Sequence, residues 1–136
     1  MWAVLDPNVI ISGLLSSSGA PAALLTAWAD GAYELAVSPA LLAELQRALA
    51  YPKLRRRIPA EHAGAVVGWL RASAVSATDP VDHPLDTRSR DPGDDYLLAL
   101  AASEHAVLVT GDTDLLELSE RLPIHTPRSF LASLRT

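Results

Sequence analysis

Acidic side chains follow two of the most apolar short segments of the chain. Asp6 comes directly after residues 2–5, and Asp112 and Asp114 come just after "AVLVT", residues 106–110. Short apolar runs bounded by turn residues are typical of buried strands, and in a parallel sheet functional residues collect at the carboxyl ends of the strands. The spacing therefore predicts that these carboxylates lie at one edge of a sheet.

Two further acids are predicted to reach this edge from helices. The segment "DPGDDYLLALAASEH" begins a helix at Asp91, with Pro92 in its first turn and Asp94 at the third position. Glu44 lies at the border of an apolar helical stripe, from which a carboxylate can lean over the edge of the sheet. The stripe is formed by Leu41, Leu42, Leu45 and Leu49.

Each acid taken alone also has an ordinary structural explanation. Asp94 and Asp112 fit as helix caps, and Asp114 fits as a first-turn acid that interacts favourably with the helix dipole. Glu44 alone is typical of a solvated helix face, and Asp6 of a turn. The functional interpretation depends on four acids from separate elements meeting at one edge.

Carboxylates gathered within a few ångströms of each other repel unless protons or a cation neutralise them. Lys53 is the only lysine of the chain, and no lysine is near enough in the sequence to do this. Oxygen-only clusters suit Mg²⁺ or Mn²⁺, which keep positions open for water and substrate phosphate. The chemistry indicated is metal-assisted hydrolysis of a phosphodiester.

Length and composition limit the class of protein. The 136 residues fit one domain spanning 1–136, and the absence of cysteine excludes disulfides, thiolate zinc sites and a cysteine nucleophile. Because Asp6 interrupts the first apolar stretch, no secretory signal is expected, and no apolar run approaches the roughly 18 residues of a membrane span. We expect a cytoplasmic protein with no membrane association.

The net charge of −5 argues against nucleic-acid binding through overall positive potential. Leaving the candidate acids out of the count changes −5 to 0, so that the rest of the surface is balanced. The acids left out are Asp6, Glu44, Asp94, Asp112 and Asp114. An acidic composition therefore does not exclude an RNA substrate.

Apolar strands alternate with helices along the chain. The predicted strands are 2–5, 33–37, 73–77, 106–110 and 123–125. The predicted helices begin after Asn8, at "GAPAALLTAWADG", at Ser38 and Pro39, at Ala60, at Asp91, at "GDTDLLELSE" and at Thr126, and residues 78–90 are predicted to be a loop. This alternation predicts an α/β fold with a mostly parallel sheet covered by helices on both faces.

Five segments carry a resemblance to a known family. In order they are "VLDPNVIISGLLS", "SPALLAELQRAL", "DPGDDYLLALA", "VLVTGDTDLLEL" and "TPRSFL". Together they resemble the PIN-domain nucleases, and more closely the VapC-like toxin branch of bacterial type II toxin–antitoxin systems. The resemblance implies a three-layer α/β/α fold with a parallel sheet and a ribonuclease activity that depends on Mg²⁺ or Mn²⁺.

The resemblance also implies roles for particular residues. The four acids of the family, which are catalytic and bind the metal, match Asp6, Glu44, Asp94 and Asp112. Asn8 matches the asparagine that orients the first acid, and Thr110 the threonine before the fourth acid. Asp95 and Asp114 are secondary candidates for the metal, because the Asp94–Asp95 pair leaves a one-residue ambiguity.

Pro7 departs from the pattern of the family, in which threonine or serine commonly follows the first acid. Proline supplies neither a hydroxyl nor a backbone N–H, and it pushes the preceding Asp6 toward an extended conformation. We expect this proline to be tolerated, with Asp6 still binding metal.

Partners follow from the same resemblance. RNA is the expected substrate, and Arg47 with the run Arg55, Arg56 and Arg57 provides candidate phosphate contacts, although charge runs are usually solvated faces. A cognate antitoxin and a second copy of the chain are expected to cover apolar helix faces, for which Trp28 and the Leu24–Leu25 pair are candidates. The sequence leaves open whether these residues meet another chain or the core of the domain itself.

Three other functions are weighed against this interpretation. A phosphoaspartate hydrolase of the haloacid-dehalogenase type needs a second Asp two residues after the first, where this chain has Asn8, and a lysine that Lys53 does not match. A receiver-type signalling domain needs a lysine at a strand end, and the C-terminal half has none. A PIN-like module that binds RNA or protein with little cleavage, and a stand-alone RNA-processing nuclease, remain alternatives.

Overall fold

Five short parallel strands form the sheet at the centre of the molecule. The computed structural model describes residues 1–81, 89 and 91–135. The strands are β1 (Trp2–Leu5), β2 (Glu34–Val37), β3 (Val75–Ser76), β4 (Val107–Val109) and β5 (Ile124–His125). Their spatial order is β3-β2-β1-β4-β5, and every neighbouring pair is parallel.

Helices connect the strands. They are α1 (Pro7–Leu15), α2 (Ala20–Ala29), α3 (Pro39–Leu49), α4 (Pro52–Arg55), α5 (Ala60–Ser73), α6 (Asp95–Ser103), α7 (Thr113–Leu116) and α8 (Pro127–Ser133). A 3-10 turn over Pro92–Asp94 precedes α6. The helices flank the sheet as in a three-layer α/β/α fold, so the predicted fold class is confirmed.

The sequence predicted the elements well, and the differences are local. The short helix α4 was not predicted, and α1 begins at Pro7 instead of after Asn8. The helix predicted from Asp91 starts as a 3-10 turn, because the Asp91 side chain accepts a hydrogen bond from the N–H of Gly93 and tightens the turn. Most of the predicted loop over 78–90 lies outside the described residues.

Side-chain caps start the helices that leave the sheet at the carboxyl ends of its strands. Ser38 accepts from the N–H of Leu41, and Thr126 accepts from the N–H of Ser129. A proline follows each of these caps, where its fixed φ suits the first helical position. These local signals place the first turns of α3 and α8 at the edge where the parallel strands end.

The core surrounds β1, which is the central strand. Ala3, Val4 and Leu5 have no exposed surface, as expected for a strand with helices on both faces. The candidate partner residues Leu24, Leu25 and Trp28 are also buried in this core. Their predicted role as a contact surface is therefore wrong, because the apolar face of α2 is already covered by the domain itself.

The helices of the described residues are short. No single one of them combines the length and the apolar composition needed to cross a membrane. The pair α1 and α2 meets both requirements only when taken together, and its two helices are bent by 98° relative to each other.

Candidate functional site

Asp6 stands at the carboxyl end of the central strand and is only 5% exposed. Its backbone is extended, with φ −53° and ψ 136°, and its carboxylate caps α1. One oxygen, Oδ1, accepts a hydrogen bond from the backbone N–H of Asn8 at 2.9 Å. The other, Oδ2, accepts from the hydroxyl of Thr110 at 2.8 Å. The carboxylate is thus fixed by one bond from its own turn and one from the neighbouring strand end.

The pKa of Asp6 is raised above its ordinary value. Burial is the largest cause, and the negative charges of Asp112 and Glu44 add to it, while the hydrogen bonds from Asn8 and Thr110 oppose it. A buried carboxylate surrounded by other acids is most stable with a proton or a cation nearby.

Thr110 connects the two central strand ends. It is fully buried directly after β4, which pairs with β1 so that Val109 lies opposite Leu5. Its hydroxyl donates to Asp6 and accepts from the backbone N–H of Asp112 at 3.0 Å. This single hydroxyl therefore sets the position of Asp6 relative to Asp112.

Asp112 both caps a helix and lies near the other candidate acids. Its Oδ1 accepts from the N–H of Asp114 at 2.8 Å, so it caps α7 as its sequence context indicated. The carboxylate also lies close enough to Asp6 and Asp94 to raise the pKa of both. Asp114 is a first-turn acid of α7.

The pKa of Asp94 is raised well above that of an ordinary aspartate. Its pKa is raised to about 7 by partial burial, by a hydrogen bond with Asp112, and by the charges of Asp112, Asp91 and Asp6. The neighbouring Asp95 instead accepts the backbone N–H of Ser89 at 2.8 Å. Of the two adjacent acids, Asp94 is the one in contact with the other site carboxylates.

Glu44 lies in the middle of α3, and 38% of its side chain is exposed. Its charge acts on Asp6, so α3 brings it toward the same edge. Its Oε2 is paired with the guanidinium of Arg47, one turn further along the helix. Arg47, a candidate RNA contact, therefore has a carboxylate partner in this structure.

The arginine run ends α4 and continues beyond it. Arg57 donates to the carbonyl oxygen of Leu15 at 3.1 Å, at the end of α1. Arg56 is exposed, and Arg55 is half-buried. Arg57 thus has a structural partner at the end of α1.

Asn8 was predicted to belong to the site and Tyr96 was not, and the structure adds detail on both. Asn8 contacts Asp6 through its backbone N–H, which any residue except proline could supply at this position. Tyr96 was not singled out, yet its hydroxyl is buried among the charges of Glu44, Asp6, Asp94 and Asp79. No spacing rule in the sequence marks a single tyrosine hydroxyl as part of a site.

A groove of about 420 Å³ opens beside the acids, lined by Asn8, Ser12, Gly111 and Asp112 among others. It runs between the start of α1 and the starts of α2 and α8, which contribute Pro21 and Pro127. Of the four candidate acids, Asp112 is the one that lines this groove.

The donor set fits a hard divalent cation, although the described residues contain no group of three acidic or histidine side chains already arranged around a metal position. All four side chains offer oxygen, the atom that Mg²⁺ and Mn²⁺ prefer. Burial first, and then the neighbouring carboxylates, raise the pKa values of Asp6 and Asp94, and a bound cation would lower them. The group that would hold the cation is Asp6, Glu44, Asp94 and Asp112.

Comparison with known proteins agrees with this architecture. The uncharacterized protein MJ1680 of Methanocaldococcus jannaschii is 27% identical over 140 residues, which cover 94% of this chain and 88% of that protein. The crystal structure of VapBC2 from Rickettsia felis bound to a DNA fragment from their promoter is similar, with a TM-score of 0.61 and 18% identity, covering 92% of this chain and 97% of that chain. FitAcB from Neisseria gonorrhoeae is similar with a TM-score of 0.56 and 17% identity, covering 93% of this chain and 98% of that chain.

A family model described as the PIN domain matches residues 3–114. The match includes Asp6, Glu44, Asp94 and Asp112, together with four of the five strands. Because it covers most of the sequence, and the sheet and acidic edge described above agree with it, the chain belongs to the PIN domain family.

Proposed function

We propose that this protein is a metal-dependent endoribonuclease that hydrolyses phosphodiester bonds of RNA. The observation that carries the proposal is the meeting of four carboxylates from β1, α3, the turn before α6, and the end of β4. Asp6 interacts with both Glu44 and Asp112, and Asp94 interacts with Asp112 and Asp6. Membership of the PIN domain family supports a nuclease as the class of enzyme.

Asp6, Glu44, Asp94 and Asp112 are proposed to hold Mg²⁺ or Mn²⁺. The chemistry that such a cation supplies when bound is Lewis-acid activation of water and phosphate. Thr110 and the N–H of Asn8 keep Asp6 in one orientation, so this carboxylate is pre-positioned. Asp94, whose pKa is raised to about 7, would be held as the carboxylate if a cation supplied the neutralising charge in place of its proton.

The groove next to Asp112 is proposed to receive the RNA strand, with the scissile phosphate at the acidic edge. Arg47 is one turn from Glu44 and would contact phosphate once its carboxylate partner turns to the cation. Arg55 and Arg56 remain weaker candidates for the strand, and Arg57 is the weakest because it bonds Leu15.

A toxin role is proposed from the structural neighbours. The sequence resembles the VapC-like toxins, and the folds in the VapBC2 and FitAcB structures match nearly all of this chain. We propose a cognate antitoxin, a homodimer and a cytoplasmic location on this basis. Since β5 and α8 lie beyond residue 114 yet pack on β4 and α2, we also propose that 1–136 is a single domain.

Purified protein tests the activity on single-stranded RNA with Mg²⁺ or Mn²⁺. We expect cleavage that EDTA abolishes and that Asp6→Asn reduces by at least about 100-fold. Asp30→Asn, an exposed acid at the end of α2, is the matched control and should keep wild-type activity. Cleavage in EDTA, or full activity of Asp6→Asn, would contradict the mechanism.

The genomic neighbourhood separates the toxin from a stand-alone nuclease. A small antitoxin gene beside this one, whose product binds the chain and inhibits cleavage, is the expected result. Cleavage without such a neighbour would favour an RNA-processing nuclease. No cleavage of any RNA would favour a binding module.

A further inference from the structure

Two buried polar atoms near the acidic edge have no hydrogen-bond partner. Within the part of the chain that the structure describes, they are Oδ1 of Asp79 and the hydroxyl of Tyr96. One is an acceptor, and the other is a hydroxyl that donates. Buried polar groups are almost always paired, either directly or through an enclosed water.

Asp79 is already tied to α3 through its other oxygen. Its Oδ2 accepts the backbone N–H of Ala40 at 2.9 Å, in the first turn of α3. Asp79 follows β3, whose partner strand β2 leads through Ser38 into the same helix. The carboxylate therefore lies at the strand-end edge and fixes the beginning of the helix that carries Glu44.

Tyr96 belongs to the first turn of α6, two residues after Asp94. Four carboxylates are near enough to act on its hydroxyl, those of Glu44, Asp6, Asp94 and Asp79. Both oxygens of Asp6 already accept hydrogen bonds, and Glu44 is paired with Arg47. Among the four, only Asp79 offers a buried oxygen that lacks a partner.

We propose that Tyr96 and Asp79 form a positioning pair, in which the Tyr96 hydroxyl donates to one enclosed water that in turn donates to Oδ1 of Asp79. The pair ties the start of α3 to the start of α6. It thereby holds Glu44 and Asp94 at the separation that the cation site needs. The positioning role rests on the proposed metal-dependent function, whereas the tie between the two helices does not.

The tie itself is tested by a double-mutant cycle on thermal unfolding in EDTA. Tyr96→Phe removes only the hydroxyl, and Asp79→Ala removes its partner together with the bond to Ala40. We expect Tyr96→Phe to destabilise the wild-type protein but to have little further effect in the Asp79→Ala background. If the two substitutions lower the stability additively, the proposed interaction between Tyr96 and Asp79 is contradicted.

The positioning role is tested by Mg²⁺ titration calorimetry and by kcat and KM on RNA. We expect Tyr96→Phe and Asp79→Ala each to weaken Mg²⁺ binding about tenfold. The double variant should bind Mg²⁺ no more weakly than whichever single variant has the lower affinity. Asp79→Asn should restore most of the affinity, because the oxygen of its amide can accept from the N–H of Ala40 while its NH₂ group donates to the enclosed water.

Tyr33→Phe is the matched control. It removes a buried hydroxyl that donates to the carbonyl oxygen of Leu24 at 2.8 Å, away from the acids. This variant should unfold at lower temperature with unchanged Mg²⁺ affinity. If the effects of Tyr96→Phe and Asp79→Ala on unfolding are non-additive but both variants bind Mg²⁺ with wild-type affinity, the positioning role is overturned. If the wild-type protein neither binds Mg²⁺ nor cleaves RNA, the proposed function is overturned. Non-additive unfolding effects of the two substitutions would still support the tie between the helices.

Discussion

The two halves of the acidic edge are held in different ways. Asp6 and Thr110 follow adjacent central strands, are almost completely buried, and are joined by a 2.8 Å hydrogen bond. Glu44 and Asp94 come from helical turns and are partly exposed, and their partners are other charged side chains. The strand half is therefore fixed before any ligand arrives, while the helix half keeps freedom to rearrange.

The cause of this difference is the parallel pairing of β1 and β4. Leu5 lies opposite Val109, and the N–H of Asp6 continues the ladder to the carbonyl oxygen of Val109 at 2.9 Å. Backbone pairing thus sets the distance between the two strand ends to within the tolerance of a hydrogen bond. Glu44 and Asp94 lie on α3 and on the turn before α6, and within the described residues neither belongs to a strand of the sheet. Their positions depend instead on the helix starts, where Ser38 caps α3 and Asp91 caps the turn.

The largest expected effect is the difference in activity lost when an acid of the strand half or an acid of the helix half is replaced. Asp6→Asn should lower kcat/KM for RNA about 100- to 1,000-fold, whereas Glu44→Gln should lower it about 10- to 100-fold, because a flexible ligand is more easily replaced by water. Steady-state cleavage with saturating Mn²⁺ measures both. Equal losses would show that the helix half is as fixed as the strand half.

Removal of the bridging hydroxyl tests the strand half alone. Thr110→Val should weaken Mg²⁺ binding about 10- to 100-fold, because Asp6 loses the bond that orients it. The same change should lower the free energy of unfolding by about 1–3 kcal/mol, since the N–H of Asp112 also loses its acceptor. Thr110→Ser keeps the hydroxyl and should recover most of the affinity. Wild-type affinity in the valine variant would contradict the orienting role.

The pH dependence of stability tests the helix half. In EDTA the folded pKa of Asp94, about 7, is above the ordinary value of 3.8 that applies to the unfolded chain. The stability that comes from this protonated group is therefore fully present below about 3.8 and is lost as the pH rises through about 7. Thermal unfolding between pH 5 and 8, at intervals of about half a unit, should show this decline, and excess Mg²⁺ should remove it.

Asp112→Asn is the variant that should flatten this profile, because Asp112 provides a hydrogen bond and a charge that raise the pKa of Asp94. Asp30→Asn is the control at a distant position. A profile that Asp112→Asn leaves unchanged would assign the pKa shift to burial and to the charges of Asp91 and Asp6.

Release of Glu44 from its ion pair should have a smaller effect. Arg47→Met keeps the apolar stem of the side chain and removes the charge that competes with a cation for Glu44. Exposed ion pairs contribute little, about 0–1 kcal/mol, so Mg²⁺ affinity should rise by about two- to fivefold. Calorimetry at low salt measures this, and RNA affinity should fall in the same variant if Arg47 also contacts phosphate.

Replacement of Pro7 is expected to have the smallest effect. Pro7 occupies the first position of α1, where the absent N–H has no intrahelical acceptor to lose. Pro7→Thr should therefore change Mn²⁺ affinity and cleavage by less than about threefold. A gain of orders of magnitude would show that the hydroxyl common in the family is needed in the strand half.

Much of the fold was predictable because its signals are local. The Ser38–Pro39 and Thr126–Pro127 pairs mark helix starts, and the apolar run before Asp6 marks the central strand. The same signals predicted that acids gather at one edge. The helix α4 was missed because a single turn has no periodicity. The sequence left Trp28 open between the core and an interface, because an apolar residue gives no indication of what covers it, and the structure buries it in the core.

The sequence by itself determined the α/β class, the order of strands and helices, and the set of acids that a parallel sheet brings together. Those properties follow from apolar periodicity and from caps that lie within a few residues of each other. Only the tertiary structure decided that Thr110 bonds Asp6, that Asp95 is engaged by Ser89 whereas Asp94 meets Asp112, and that Asp79 and Tyr96 lie at the same edge. Such contacts depend on packing between distant elements, which fixes distances that no local spacing encodes.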